Sequence, residues 1–131
     1  MLINKETAKK ILDPNLDKDG KYLFEYSEKL ARDIPKDIKT TQIRKYFDEV
    51  KKISEDEEKF KYEIRRFLAL VLYNIYRKMT KNNEKKLKEF SSSMKNMVEV
   101  VTEGDLNYLR RFKDFFEAVV AYYKYYNPGK N

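Results

Sequence analysis

Apolar residues recur along this chain at intervals of three and four, and that spacing constrains its fold more than any other feature. From Lys21 they fall as Leu23, Tyr26, Leu30 and Ile34, one face of a helix of about three turns that Pro35 ends. Ile43, Tyr46, Phe47, Val50 and Ile53 make the core stripe of a second helix, with Thr40 or Thr41 placed to cap it. Ser54-Glu55-Asp56-Glu57 reads as a capping box, in which Ser54 accepts from the amide three residues on and Glu57 reaches back. It predicts a third helix from about Glu57 to Met79, the longest of the chain. The second half of that helix, FLALVLYNIY, is apolar on every side, which predicts the buried centre of the fold.

Asn82-Asn83 breaks that run, and a fourth helix carries Leu87, Phe90, Met94, Met97, Val98 and Val101. Gly104-Asp105 opens a fifth, which continues to Tyr126. There Leu109, Phe112, Phe116, Val119, Val120 and Tyr123 share one face, and Arg110, Lys113, Glu117 and Lys124 lie opposite. No segment shows strand alternation or a hairpin turn. The expected fold is all-α, a compact bundle of about five helices with a long central helix, and residues 1–131 are expected to form one domain.

The first 20 residues fit this scheme least. Pro14, Asn15 and the cluster Asp17-Lys18-Asp19-Gly20 break periodicity, so residues 1–20 are expected to be a loosely ordered segment with at most a short helix. Asn15, Asp17 and Asp19 stand at the first, third and fifth positions of a calcium loop, with Gly20 at the sixth. The bidentate acid that such a loop needs at its twelfth position is replaced by Tyr26, so the cluster reads as an acidic turn and no metal is expected.

Composition matters for what it removes. The chain has no His and no Cys, so it has neither a serine triad nor a thiol nucleophile, and neither a zinc site of that chemistry nor a disulfide. Its three glycines, Gly20, Gly104 and Gly129, are too scattered for a phosphate-cradling loop. The acids sit beside lysines or at a helix start rather than converging as a two-metal site would require. No enzymatic activity and no cofactor is expected. The charged start of the chain lacks the apolar stretch of an export signal, and the longest apolar run, Phe67 to Tyr73, is too short to span a bilayer, so a cytoplasmic protein without a membrane role is expected.

The positive hints are charge and rings. Lys and Arg number 29 against 22 Asp and Glu, a formal net charge of +7, beside 11 Tyr and 8 Phe. Such a chain favours polyanions, although a basic balance also suits an ordinary solvated surface. On the second helix Arg44 and Lys51 come out on one flank of the buried stripe, without an acid on that flank. Lys45 and Lys52 emerge on the other, where Asp48 and Glu49 stand within pairing distance. On the third helix Lys59, Tyr62, Arg66, Tyr73 and Arg77 project within about one quadrant. Alternating cations and tyrosines suit a sugar-phosphate backbone with rings stacked on bases. The same tyrosines suit packing between helices with their hydroxyls outward.

Two stretches carry a resemblance. KTTQIRKYFDEV, Lys39 to Val50, resembles the opening of a helix in the small helical subunit of type III-A CRISPR (Csm) effector complexes, through Thr40, Thr41, Ile43, Arg44 and Lys45. FKDFFEAVVAYYKYY, Phe112 to Tyr126, is similar to that family's C-terminal helix, with the core at Phe116 to Tyr122. The resemblance implies a non-enzymatic RNA-binding subunit that stacks in copies along guide RNA paired with target RNA, contacts backbone rather than bases, and has the other Csm subunits as partners. It makes Arg44 an expected RNA contact and extends the expectation to Lys45, Arg65 or Arg66, and Arg77. A homodimeric helical scaffold that does not bind RNA, and the small subunit of a type III-B complex, are the alternatives; the two stretches favour type III-A.

Overall fold

The computed structural model describes residues 1–129, so Lys130 and Asn131 of the expected domain lie outside the described residues. The chain forms α1 (Lys5–Leu12), α2 (Lys21–Asp33), α3 (Thr40–Lys51), α4 (Phe60–Arg77), α5 (Glu84–Glu103) and α6 (Leu106–Tyr126). No strand occurs among the described residues, as the periodicity predicts. Among the described residues there are six helices instead of about five, and the additional one lies in the segment expected to be loosely ordered.

That N-terminal segment is built into the core. The Asn4 side chain caps α1 by accepting from the Thr7 amide at 2.8 Å, and Ala8, Ile11 and Leu12 are fully buried where α1 packs on α5 and α6. Ile3 is held from both sides, its amide donating to Ser93 Oγ at 2.8 Å and its carbonyl accepting from Asn96 Nδ2 at 2.9 Å. The acidic turn has a structural use. The buried Asp17 carboxylate accepts from the Tyr22 and Leu23 amides at 2.9 and 3.0 Å, which satisfies the free N–H groups at the start of α2. It also pairs with Arg111 of α6, whose guanidinium in turn donates to the Ile11 carbonyl. Gly20 enters α2 at φ 79°, a left-handed conformation that glycine adopts at little steric cost.

The centre of the bundle is α6 rather than the helix expected from FLALVLYNIY. Eight residues of α6 are buried, and it packs against α1, α2, α3 and α5. By contrast α4 spans 18 residues, fewer than the 20 of α5 and the 21 of α6. It lies mainly on α5, touches α3, and reaches α6 through Phe67, whose ring meets Phe112 and Phe116 edge-on at 6.3 Å. Only Phe60, Ile64, Phe67, Val71 and Ile75 of α4 are buried. A segment apolar all round has two faces to cover, and the bundle supplies neighbours for one.

Neither expected cap forms. α3 begins after Lys39 without a side-chain cap, and Thr40 lies inside the helix with its hydroxyl buried and unpartnered among the described residues. Residues 54–56 are irregular and 57–59 a turn, and α4 starts at Phe60. The Ser54 amide donates to Glu63 at 2.7 Å, while Glu55 reaches across to α6 and pairs with Arg110 at 2.7 Å and Lys113 at 3.4 Å. The Ser54 amide, which Glu57 would have reached in a capping box, is therefore taken by Glu63 from inside α4.

Candidate nucleic-acid interface

With its inner stripe buried, α4 presents the opposite stripe to solvent, because 3.6 residues per turn place Tyr62, Arg66, Leu70, Tyr73, Tyr76 and Arg77 on one side. Tyr62, Tyr73 and Tyr76 are 70%, 61% and 71% exposed. Of the two readings of Tyr62 and Tyr73, packing between helices is therefore excluded within this chain. The Arg77 guanidinium lies 5.7 Å from the Tyr73 ring centroid, so cation and ring are presented together. Arg65, Arg66 and Arg77 are exposed, and none takes part in an ion pair or side-chain hydrogen bond among the described residues. Lys59, at the N-cap of α4, is likewise exposed.

On α3 all four expected cations are exposed, but their surroundings differ. Arg44 has no ionic partner among the described residues, as its flank suggests. Lys51 does have one, Asp48 at 3.5 Å, and it also lies 5.0 Å from the centroid of the Phe47 ring. The expectation that Lys51 lacks an acid is thus wrong, because Asp48, three residues earlier, sits between the two flanks and reaches either. Lys52 pairs with Glu49 at 3.4 Å, and Lys45 has no partner among the described residues.

Between α3 and α4 runs a groove of about 730 Å³. Lys45 and Lys52 line it from α3 and Arg66 from α4, so the structure brings these three together. Arg44 and Lys51 stand on the other flank of α3 and do not line it, nor do Lys59, Arg65 and Arg77. The groove's walls include Phe67, Leu70 and Val71, and Asp48, Glu49 and Glu63 balance its cations. At one end Asn74 Oδ1 accepts from Tyr46 Oη at 2.8 Å and Gln42 Nε2 at 3.1 Å, and burial pushes the Tyr46 hydroxyl pKa up. The groove is thus mixed in charge, whereas the outer face of α4 is cationic and aromatic.

Leu70 and Tyr76 belong to that face and were not singled out from the sequence. The signal was present: the 3.6-residue projection that groups Tyr62 with Tyr73 also puts Tyr76 and Leu70 beside them. Beyond the C-terminal end of α4, exposed Lys78, Lys81, Lys85 and Lys86 continue the positive charge. The acidic run at Glu55–Glu58 is no counterpart to a metal site. The hydrogen bond from Arg110 holds the Glu55 carboxyl below its ordinary range, Asp56 accepts from the Glu58 amide at 2.8 Å, and no group of three acids could hold a metal ion among the described residues.

Six helices on one core, with a solvent-facing stripe of arginine and tyrosine, define a small basic all-helical protein, and none of its described helices is long and apolar enough to cross a membrane. The chain belongs to the Csm2 type III-A family, whose family model matches residues 17–129, and it is a small subunit of type III-A CRISPR complexes with the other Csm subunits as partners. Both resembling stretches lie inside the matched range, one forming most of α3 and the other the larger part of α6, whereas α1 lies before it. No curated protein and no solved structure was found to match the chain.

Proposed function

We propose that this subunit is the non-catalytic RNA-binding component of its complex, working in the cytoplasm and stacking in copies along the duplex of guide RNA and target RNA. Its cations neutralise backbone phosphates, and contacts between copies set their spacing. The observation that carries this reading is the set of exposed arginines on α4, Arg65, Arg66 and Arg77, none of them in an ion pair among the described residues. Charges that hold the fold together elsewhere in this protein have partners. Arginine suits phosphate because its planar fork donates to two oxygens at once. Arg44 supports the reading from α3, where it too is exposed and unpaired among the described residues. Lys45 and Lys52 add charge where α3 faces α4, and Lys51 and Lys59 extend it at the ends of the two helices.

The test is a titration of labelled RNA against the wild type and an Arg44→Glu, Arg66→Glu double mutant over a series of salt concentrations. If about four phosphates are engaged per copy, log affinity falls with log salt at a slope near minus three, from roughly 0.7 per phosphate on single strands. The double mutant is expected to bind more weakly and to show a shallower slope. Affinity that ignores salt, or equal binding by both proteins, overturns the reading and leaves a helical scaffold in its place.

A further inference from the structure

We propose that the outer face of α4 is a single-strand site, on which unpaired RNA bases stack against Tyr62, Tyr73 and Tyr76 while Arg66 and Arg77 hold the flanking phosphates. The inference rests on the RNA-binding reading above and goes beyond it: the α4 arginines that meet backbone phosphates of a duplex meet those of an unpaired strand as well, and only there do the rings add stacking.

Three features carry it. First, the rings are open. Tyr62, Tyr73 and Tyr76, exposed by 61–71%, leave most of their surface open to solvent along one side of α4. Clustered exposed rings are where soluble proteins commonly meet a ligand or a partner.

Second, the charge selects the occupant. The exposed charged side chains of the stripe are the arginines Arg66 and Arg77, with Lys59 a further cation at the N-cap. A second copy packed symmetrically on this face would set arginine against arginine. A strand of RNA brings negative phosphates and flat bases together, matching both components of the surface.

Third, the spacing repeats. Tyr62 and Arg66 are four residues apart, as are Tyr73 and Arg77, so in each pair the cation lies about one turn, or about 6 Å along the axis, from the ring. The two pairs are themselves eleven residues apart, close to three turns, and so point the same way. The Arg77 guanidinium lies over one face of the Tyr73 ring, 5.7 Å from its centroid, so cation and ring are presented together. A duplex keeps its bases stacked inside and offers this face only phosphates. A single strand offers both.

The experiment measures anisotropy of the full-length protein with a short unstructured RNA, the same sequence as a duplex, and an abasic ribose-phosphate strand of equal length. The wild type is expected to bind the single strand most tightly. Tyr62→Ala with Tyr73→Ala should weaken single-strand binding by roughly 5- to 150-fold per ring, leave duplex and abasic binding unchanged, and be rescued by Tyr62→Phe with Tyr73→Phe. Both positions are exposed, and an unchanged melting temperature confirms that the variants fold. If the alanine variant binds the single strand as the wild type does, or loses single strand and duplex equally, the inference is overturned. Should Arg66→Glu with Arg77→Glu still weaken both forms in that case, the backbone reading survives and only the stacking falls. If the wild type binds no form of RNA, both fall. A drop in sedimenting mass for the alanine variant, with RNA affinity intact, would make the face a contact between copies and overturn the inference as well.

Discussion

Helices α6 and α4 are both long, both rich in aromatic residues and both dotted with cations, yet they use those residues in opposite ways. On α6 three cations are tied down: Arg111 by Asp17 and the Ile11 carbonyl, Arg110 by Glu55, and Lys113 by the Ile53 carbonyl at 2.7 Å. On α4 Arg65, Arg66 and Arg77 have no such partner among the described residues, and the tyrosines beside them are open. Charge that joins distant parts of the chain is paired on α6, and the arginines of α4 make no such link among the described residues. Net charge alone cannot make that distinction, because +7 counts both kinds.

The comparison breaks most visibly at Arg111. Asp17→Ala would strand a guanidinium that is 15% exposed and remove the acceptor for two α2 amides, so a loss of about 3–5 kcal/mol is expected in denaturant unfolding. Arg66→Ala on α4 should shift stability by no more than about 0.5 kcal/mol. Comparable values for the two would mean that α4's arginine has a structural partner after all.

The same contrast is expected for leucine. Leu109→Ala, at a fully buried position in α6, should cost about 2–5 kcal/mol. Leu70→Ala, at a position 60% exposed in α4, should cost about 0.5 kcal/mol or less. A large loss at Leu70 in the isolated protein, rising with its concentration, would place a second copy on that face.

Tyrosine sharpens the point further. The Tyr123 hydroxyl is buried and donates to the Pro35 and Ile38 carbonyls, so Tyr123→Phe should cost about 1–3 kcal/mol by leaving those acceptors bare. Burial, with Asp37 nearby, pushes its pKa up to about 12. A hydroxyl whose folded pKa is raised contributes stability in full below its unfolded value of about 10 and loses it as pH climbs toward the folded value. Wild-type stability should therefore fall over that alkaline window more steeply than that of Tyr123→Phe.

The smallest effect belongs to Glu55, which is 43% exposed where it meets Arg110 and Lys113. Its folded pKa is lowered by the Arg110 hydrogen bond, so its contribution is present above the unfolded glutamate value and is lost as pH falls below it. Solvent screening keeps that contribution under about 1 kcal/mol, and Glu55→Gln should flatten the acid limb of the stability curve by no more than this.

Much of this was legible in the sequence. The stripes Leu87 to Val101 and Leu109 to Tyr123 are buried as their spacing predicts, and α2 stops before Pro35. The eight cations singled out, Arg44 and Lys45 among them, are all at the surface. What escaped was whatever a distant residue decides. Thr40 and Ser54 look like caps in their own neighbourhoods, but packing buries the first and the Glu63 carboxylate takes the amide of the second. The Asp17 turn looks loose until Arg111, far along the chain, pairs with it.

The sequence by itself determined the helices, their inner faces and the excess of positive charge, because helical periodicity and composition are local properties. Only the tertiary structure decided which apolar helix became the centre, and hence which face stayed open. α4 and α6 carry similar residues, and burial depends on how many neighbours surround a helix. α6 packs against four other helices, whereas α4, set mainly against α5, keeps Tyr62, Tyr73 and its arginines toward solvent.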